Sequence, residues 1–230
     1  MKLAEEIRTK FPNYLELAGC CFNRSHDLWE RPMYQNNETF LSAKARYGTD
    51  GINKVTTRKQ IIDLFKKKEY YDGFLCSMVW GNIGTFQNGR EHFESAFSAN
   101  KEKVIDAIKG AREHIVKGEI DGAFVSMCKN GENYIPGLGV SFFTKVLYFV
   151  GTSCDCREKP LIFDSTSIKI LNRIYYDDKV RIKAYQSCRH YQIFNQRMAR
   201  ISAELKLPTP GHLEAFLFNC GKCLIESYEQ

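Results

Sequence analysis

Hydrophobic residues recur every three or four positions along much of the chain, a spacing typical of helices that bury one face. The clearest example is the segment 101–117, where Val104, Ile108 and Ile115 repeat at helical spacing and charged residues fill the positions between them. The same criterion predicts helices over residues 1–10, 119–128, 165–175 and 187–206. One nearly continuous apolar run, 74–79, is typical of a helix buried on all sides, and Gly81 is expected to end it. A second apolar run covers residues 140–150.

Capping signals predict where several of these helices begin and end. Thr57 is expected to cap a helix that contains Ile61 and Phe65, because a threonine hydroxyl accepts a hydrogen bond from first-turn amides. Thr209 and Pro210 predict the start of a last helix over residues 211–227. Strand-like alternation is confined to one candidate segment, 159–163, so we expect a mainly α fold.

Composition narrows the class of protein. The chain has 230 residues, of which 43% are hydrophobic and 26% charged, and these values exclude a disordered or fibrous chain. Its apolar runs are far shorter than the roughly 18 residues of a membrane span. The first residues include charges and lack an apolar secretory stretch, so the nine cysteines are expected to be reduced thiols of a cytoplasmic protein.

The net charge of +6 is unevenly distributed. Residues 165–210 contain nine lysines and arginines and only three acidic residues, and aromatic residues lie between them. A basic surface with aromatic side chains can follow a phosphate backbone. The same residues are equally typical of a solvated helical face over an aromatic core.

A glycine-rich turn, Pro136-Gly137-Leu138-Gly139, separates the short helix 119–128 from the apolar run that begins at Val140. A helix pair joined by such a turn exposes backbone N–H groups at the start of the second helix, and these amides can bind a DNA phosphate without reading the base sequence. Glycines at this point also let a DNA strand approach closely. An ordinary structural turn explains the four residues equally well.

Lys145 and Asp164 are the candidate catalytic residues. Lys145 stands inside the apolar run, where a charged amine is costly and the neutral, nucleophilic form is favoured. Asp164 ends an apolar run and precedes a predicted helix. Taken singly, Lys145 is explained by a side chain that reaches the surface, and Asp164 by a helix cap.

Taken together, the glycine turn, Lys145 and Asp164 resemble the helix-hairpin-helix DNA glycosylases with a catalytic lysine and aspartate, and among them the 8-oxoguanine DNA glycosylases. The resemblance covers roughly residues 60–230. It implies a two-lobed helical fold whose glycosylase core spans residues 56–230, with the hairpin at 119–150. Residues 1–55 are then a helical or irregular segment packed on that core, and the β-rich N-terminal domain of the eukaryotic enzymes is absent.

The resemblance also implies site residues. Those expected to contact DNA are Gly137, Leu138, Gly139, Val140, Asn82 and His212. Among them, Asn82 would fill the space left by a flipped base. His212 is included because it begins the last helix, where it would touch a phosphate or the substrate. Phe218 would stack on the base, and Glu214, four residues earlier and on the same helix face, would read its edge.

Three positions of the expected base pocket depart from the family's pattern. Glu214 stands where the family has glutamine, Thr166 where it has histidine, and Phe149 where it has cysteine. Because an ionised carboxylate only accepts hydrogen bonds, Glu214 favours a base edge rich in donors, such as that of guanine. The three residues are kept as candidates for base recognition.

The implied function is a DNA repair glycosylase and abasic-site lyase that flips out and excises 8-oxoguanine through a lysine Schiff base. A glycosylase for a different modified base, for example one in foreign DNA, and a non-catalytic DNA-binding module are the alternatives. We expect a monomer whose partner is double-stranded DNA with a damaged base rather than a membrane, located with the nucleoid of a prokaryote.

The sequence gives little reason to expect a metal or another cofactor. The close cysteine pairs Cys154/Cys156 and Cys220/Cys223 suggest a metal site, but their spacing differs from the four-cysteine iron–sulfur cluster of some helix-hairpin-helix glycosylases. Reduced thiols and no metal site are therefore expected. The resemblance implies only a monovalent cation on the backbone of the hairpin.

Overall fold

Helices make up most of the structure. The computed structural model describes residues 2–10, 24–25, 55–81, 100–174, 180–183 and 185–226. The helices in chain order are α1 Lys2–Lys10, α2 Arg58–Lys66, α3 Tyr70–Trp80, α4 Lys101–Val116, α5 Ile120–Met127, α6 Val140–Ser153, α7 Ser165–Ile174, α8 Cys188–Glu204 and α9 Pro210–Glu226. The strands β1 Arg24–Ser25 and β2 Val55–Thr56 form an antiparallel pair in which Arg24 faces Thr56. The prediction of a mainly α fold is confirmed for the described residues.

The chain divides into two compact units. A central unit comprises Asn23–Pro160, and a terminal unit combines Met1–Phe22 with Leu161–Gln230. The division predicted at residue 55 coincides with neither boundary of these units and stays a prediction.

Local sequence signals account for the start of several helices. The hydroxyl of Thr57 accepts a hydrogen bond from the amide of Gln60 at 3.1 Å and caps α2 as predicted. Asn100 caps α4 in the same way through the amide of Glu102 at 2.8 Å. α9 begins at Pro210, because the fixed φ of proline suits the first helical position.

The core of the central unit forms where α2, α3 and α6 meet. Trp80 is fully buried and packs edge-to-face on Phe149, with ring centroids 5.3 Å apart. The guanidinium of Arg58 lies 4.9 Å from the centroid of Trp80 and 5.0 Å from that of Tyr148, and it donates to the Tyr148 hydroxyl at 2.9 Å. Arg58 thereby ties α2 to both other helices.

The core of the terminal unit is built on aromatic contacts of Phe163. Its ring lies 5.6 Å from that of Tyr191 and 5.0 Å from that of Phe194, both on α8 and both fully buried. These contacts place the segment that precedes α7 against α8.

The strand considered over residues 159–163 does not form, and that expectation was wrong. The backbone N–H of Leu161 donates to the Tyr191 hydroxyl at 3.1 Å, and the same hydroxyl donates to the backbone C=O of Leu161 at 3.1 Å. A side chain therefore satisfies the two polar groups that a neighbouring strand would otherwise pair.

Within the described residues, no helix is both long and apolar enough to cross a membrane.

Candidate active site

The turn between α5 and α6 depends on the conformation of Gly137. This glycine has a φ of 78°, in the left-handed region that side chains disfavour. Leu138 follows with only 2% of its surface exposed, and its amide donates to the carbonyl of Ile135 at 3.2 Å. The buried leucine and the left-handed glycine fix the shape of the turn.

Gly139 begins the second helix in open space. Its φ is −71° and its ψ 164°, and a Cβ added to it would meet no atom of the described residues within 4 Å. Its carbonyl accepts from the amides of Phe142 at 2.9 Å and Phe143 at 3.1 Å, whereas the amides of Val140 and Ser141 have no acceptor among the described residues. Free amides at the start of a helix form a site that suits a phosphate.

The backbone of the turn also has oxygens that suit the expected monovalent cation. The carbonyl groups of residues 136–138 accept no hydrogen bond from the described residues. Hard cations bind carbonyl oxygens of this kind. The cation itself stays a prediction.

Lys145 lies in the second turn of α6, with 5% of its surface exposed. Its Nζ donates to the backbone carbonyl of Ser141 at 2.7 Å and to the Ser141 hydroxyl at 3.1 Å. Nζ also lies 5.0 Å from the ring centroid of Phe142. The interpretation of Lys145 as a lysine that reaches the surface does not describe it; the side chain is buried and folds back toward the glycine turn.

Gly81, the C-cap residue of α3, lies beside the aliphatic part of Lys145. A Cβ added to Gly81 would lie 2.8 Å from Cδ and 3.3 Å from Cε of the lysine. The missing side chain of Gly81 therefore leaves the space that Lys145 occupies.

Asp164 precedes α7 and caps it. The residue is 4% exposed, and Oδ1 accepts from the amides of Thr166 at 2.7 Å and Ser167 at 3.0 Å. Oδ2 accepts from the Ser167 hydroxyl at 2.8 Å. The helix-cap interpretation of Asp164 is confirmed, and three donors hold both carboxylate oxygens in one orientation. Its catalytic role stays a prediction.

The residues expected to recognise the base differ in exposure. Thr166 is half-buried and contacts Asp164 through its amide. Glu214 is fully buried in α9, and Phe218, one turn later, is half-buried. Phe149 is fully buried against Trp80 in the core of the central unit. A base could reach Glu214 or Phe149 only if the atoms that cover them moved, and all four roles stay predictions.

The remaining predicted contacts lie at two helix ends. His212, in the first turn of α9, has its Nδ1 2.8 Å from the Thr209 hydroxyl, so its ring is oriented by that residue. Val140 is buried in the first turn of α6 and contributes its backbone amide. Asn82 lies outside the described residues.

Sequence reasoning did not single out Ser141 or Ser167, and it identified Gly81 only as the end of a helix. A serine three residues after a capping aspartate is a local signal that could have found Ser167. A serine four residues before a lysine could have indicated Ser141, because positions four apart lie on one helix face. The contact between Gly81 and Lys145 joins two different helices and has no signal in the local pattern.

Part of the basic segment is accessible in the terminal unit. Arg181, Lys183 and Arg189 are exposed, and Tyr185 is 47% exposed with its ring 4.9 Å from that of His190. The pKa of His190 is lowered by burial and by the charges of Lys183 and Arg189. The two positive neighbours disfavour a positive charge on the imidazole.

The cysteines show no metal cluster within the described part of the chain, where no three or more histidine, cysteine or acidic side chains could hold an ion. Cys154, Cys156 and Cys220 are free thiols. The pKa of Cys156 is raised chiefly by burial, which disfavours the thiolate that binds metals. The side chain of Cys223 lies outside the described residues.

A helical chain that presents open amides at a glycine turn, with a buried lysine one helical turn beyond them, fits the DNA glycosylases as a class. The family described as "Putative 8-oxoguanine DNA glycosylase OGG-like protein" matches residues 25–218, and the chain belongs to this family. Its members are described as DNA glycosylases, so DNA is the partner that the family implies. Comparisons with curated proteins and with solved structures gave no significant match.

Proposed function

We propose that the protein excises 8-oxoguanine from duplex DNA and that Lys145 is the nucleophile. The family description names this base. The observation that carries the proposal is the buried side chain of Lys145, whose amine is hydrogen-bonded beside the glycine turn. Structural lysines are rarely buried at this level unless a specific interaction or function requires it.

The chemistry follows from an amine next to the sugar of a flipped nucleotide. The neutral amine of Lys145 attacks C1′, the bond from C1′ to the base breaks, and the base leaves with a proton. Opening of the sugar ring then produces a Schiff base between Nζ and C1′. Loss of a C2′ proton expels the 3′ phosphate by β-elimination, and hydrolysis of the Schiff base returns the free lysine.

In this proposal, Asp164 stabilises the positive charge that develops on the sugar as the base departs. Its carboxylate is well oriented for such a role, because both oxygens are held by Thr166 and Ser167. Phe218 stacks on the extruded base. Glu214 accepts hydrogen bonds from its edge, which suits the N1–H and amino group of a guanine derivative.

DNA binding in the proposal uses backbone and charge rather than base sequence. The open amides of Val140 and Ser141 receive a phosphate, and Gly139 permits its close approach. Arg181, Lys183 and Arg189 add attraction for the phosphate backbone.

Borohydride trapping tests the nucleophile. We would incubate the protein with a duplex carrying one 8-oxoguanine, and in parallel with an abasic-site duplex, and quantify the covalent adduct after reduction. Wild type should form an adduct on both duplexes, and Lys145→Gln should form none while binding DNA with similar affinity. Lys117→Gln is the matched control, because Lys117 is an exposed lysine of the central unit outside the hairpin.

The possible outcomes of this experiment distinguish the lysine chemistry from the identity of the excised base. An adduct on the abasic duplex alone would retain the lysine chemistry but overturn 8-oxoguanine as substrate, and other modified bases would then be tested. Equal adduct formation by wild type and Lys145→Gln would overturn the nucleophile. No adduct on either duplex would favour a monofunctional glycosylase or a binding module.

A further inference from the structure

The side chain of Lys145 carries its amine away from its own position on the helix. The residue belongs to the second turn of α6, but Nζ lies within 2.7 Å of the carbonyl and 3.1 Å of the hydroxyl of Ser141, one turn nearer the glycine turn. Helical side chains slant toward the N-terminus, and here both oxygens come from the residue whose own amide is open at that end.

A second helix constrains the path of the same side chain. Gly81 leaves room for Cδ and Cε of Lys145, which a Cβ at Gly81 would approach to 2.8 and 3.3 Å. The φ of −72° and ψ of −7° at Gly81 are ordinary helical values that alanine adopts without strain. The backbone angles at this position therefore do not require glycine. An added Cβ would instead come closest to Lys145, and it would also lie 3.1 Å from the carbonyl oxygen of Ser77.

We propose that Ser141 and Gly81 are positioning residues for Lys145. Gly81 opens the path of the aliphatic chain, and Ser141 holds the amine at the hairpin end of α6. The lysine is thereby aimed at the place where the open amides of Val140 and Ser141 would receive a phosphate. This inference rests on the proposed role of Lys145 as the nucleophile, and it adds two residues that do not themselves form a bond to the sugar.

The hydroxyl of Ser141 can be tested separately from its carbonyl. We would measure single-turnover borohydride trapping on an abasic duplex at increasing DNA concentrations, which bypasses base recognition. Ser141→Ala should lower the maximal trapping rate about tenfold, as expected for loss of one hydrogen bond to an amine, and leave the half-saturating DNA concentration unchanged. Ser141→Thr should restore the rate, because it returns a hydroxyl.

Ser153→Ala is the matched control on the same helix. Its hydroxyl donates to the carbonyl of Val150 at 2.7 Å, at the end of α6 remote from the glycine turn. The control variant should trap at the wild-type rate. A Ser141→Ala variant with an unchanged maximal rate, or with only a higher half-saturating concentration, would overturn the positioning role; the second pattern would make Ser141 a phosphate contact instead.

Gly81→Ala tests the path of the side chain from the other helix. It should lower the maximal trapping rate at least as much as Ser141→Ala, because Cβ displaces Cδ of Lys145. A thermal melt of the same variant establishes that it is folded. A wild-type trapping rate in Gly81→Ala would contradict the proposal for this residue.

A readout without DNA separates this inference from the proposed function. Reductive methylation of the free protein, followed by mass spectrometry of the peptide that contains Lys145, measures the reactivity of its amine. Ser141→Ala should raise that labelling rate about fivefold, because one hydrogen bond no longer holds the amine, and leave Lys117 and Lys169 unchanged. An unchanged labelling rate would overturn the positioning role, whatever the trapping experiment shows. Failure of trapping in every variant, wild type included, would instead refute Lys145 as the nucleophile.

Discussion

Ser167 donates to both carboxylate oxygens of Asp164, through its amide to Oδ1 at 3.0 Å and through its hydroxyl to Oδ2 at 2.8 Å. A capping aspartate needs only one oxygen for the helix amides. The second oxygen is therefore held by a side chain that the cap does not require. This arrangement allows the stability contributed by the cap to be separated from the chemistry proposed for the charge.

Asp164→Asn should separate the stability contributed by the helix cap from the effect of the carboxylate charge on excision. The asparagine Oδ1 still accepts from the amides of Thr166 and Ser167, so the free energy of unfolding should fall by less than about 1 kcal/mol. Loss of the negative charge should slow excision on the order of 100-fold, the size of effect that one charged or polar group has on a developing charge. Urea unfolding and single-turnover base release measure the two quantities.

Asp164→Ala is the control for the cap. It removes every acceptor and should cost about 1–2 kcal/mol of stability. Equal activity in Asp164→Asn and wild type would restrict Asp164 to its structural role.

Much of the fold could be predicted from local pattern. The amphipathic spacing of α4, the hydroxyl cap at Thr57 and the proline at the start of α9 are each decided by neighbours within one helical turn, and the structure confirms all three. The structure of the segment that ends at Phe163 could not be predicted in this way. Its backbone groups bond to Tyr191, thirty positions along the chain, and a period of two in the sequence does not reveal such a partner.

For the candidate site, too, local sequence predicted the local contacts and missed those between distant elements. The motif led to Lys145 and Asp164, and the cap at Asp164 was recognisable because it is local. The contact of Lys145 with Gly81 depends on how two helices pack, and glycine there has ordinary backbone angles. The contact of Phe149 with Trp80 likewise joins two helices, so the local pattern does not reveal it.

His114 should make the stability of the hairpin region depend on pH. Its Nδ1 lies 2.8 Å from Glu119 and its Nε2 2.9 Å from Glu132, and hydrogen bonds to Glu132 and then Glu119 raise its pKa. Only the charged imidazolium donates from both nitrogens. The stabilisation is therefore complete below the ordinary pKa, about 6.5, and is lost as pH rises through the raised pKa of the folded state.

Thermal unfolding of wild type and His114→Gln across this range is the measurement. The difference in Tm should shrink as pH rises above about 6.5. Wild type must be compared with His114→Gln because His190 also makes stability depend on pH. The pKa of His190 is lowered, so His190 destabilises the fold as pH falls, which is opposite to the effect of His114. A difference that is the same at all pH values would mean that charge on His114 does not matter.

Arg58→Lys should weaken the junction of α2, α3 and α6. A lysine cannot stack a planar cation on Trp80 and Tyr148 while donating to the Tyr148 hydroxyl. We expect a loss of about 1–2 kcal/mol in urea unfolding. Tyr148→Phe, which removes only the hydroxyl, should cost less, and an equal cost would assign the whole effect to the hydrogen bond.

Alanine at the two glycines of the turn should affect different properties, stability at Gly137 and DNA affinity at Gly139. Gly137 has a φ of 78°, so Gly137→Ala should cost about 1–2 kcal/mol of stability through backbone strain.

Gly139 has a φ of −71° and open space around the position of a Cβ, so Gly139→Ala should leave the free energy of unfolding within about 0.5 kcal/mol of wild type. The same methyl group would occupy the space through which a phosphate reaches the amides of Val140 and Ser141. Gly139→Ala should therefore weaken binding to an abasic duplex about tenfold in fluorescence anisotropy, as expected when a charge-assisted hydrogen bond is lost. Unchanged DNA affinity in this stable variant would show that the turn is structural and that the phosphate binds elsewhere.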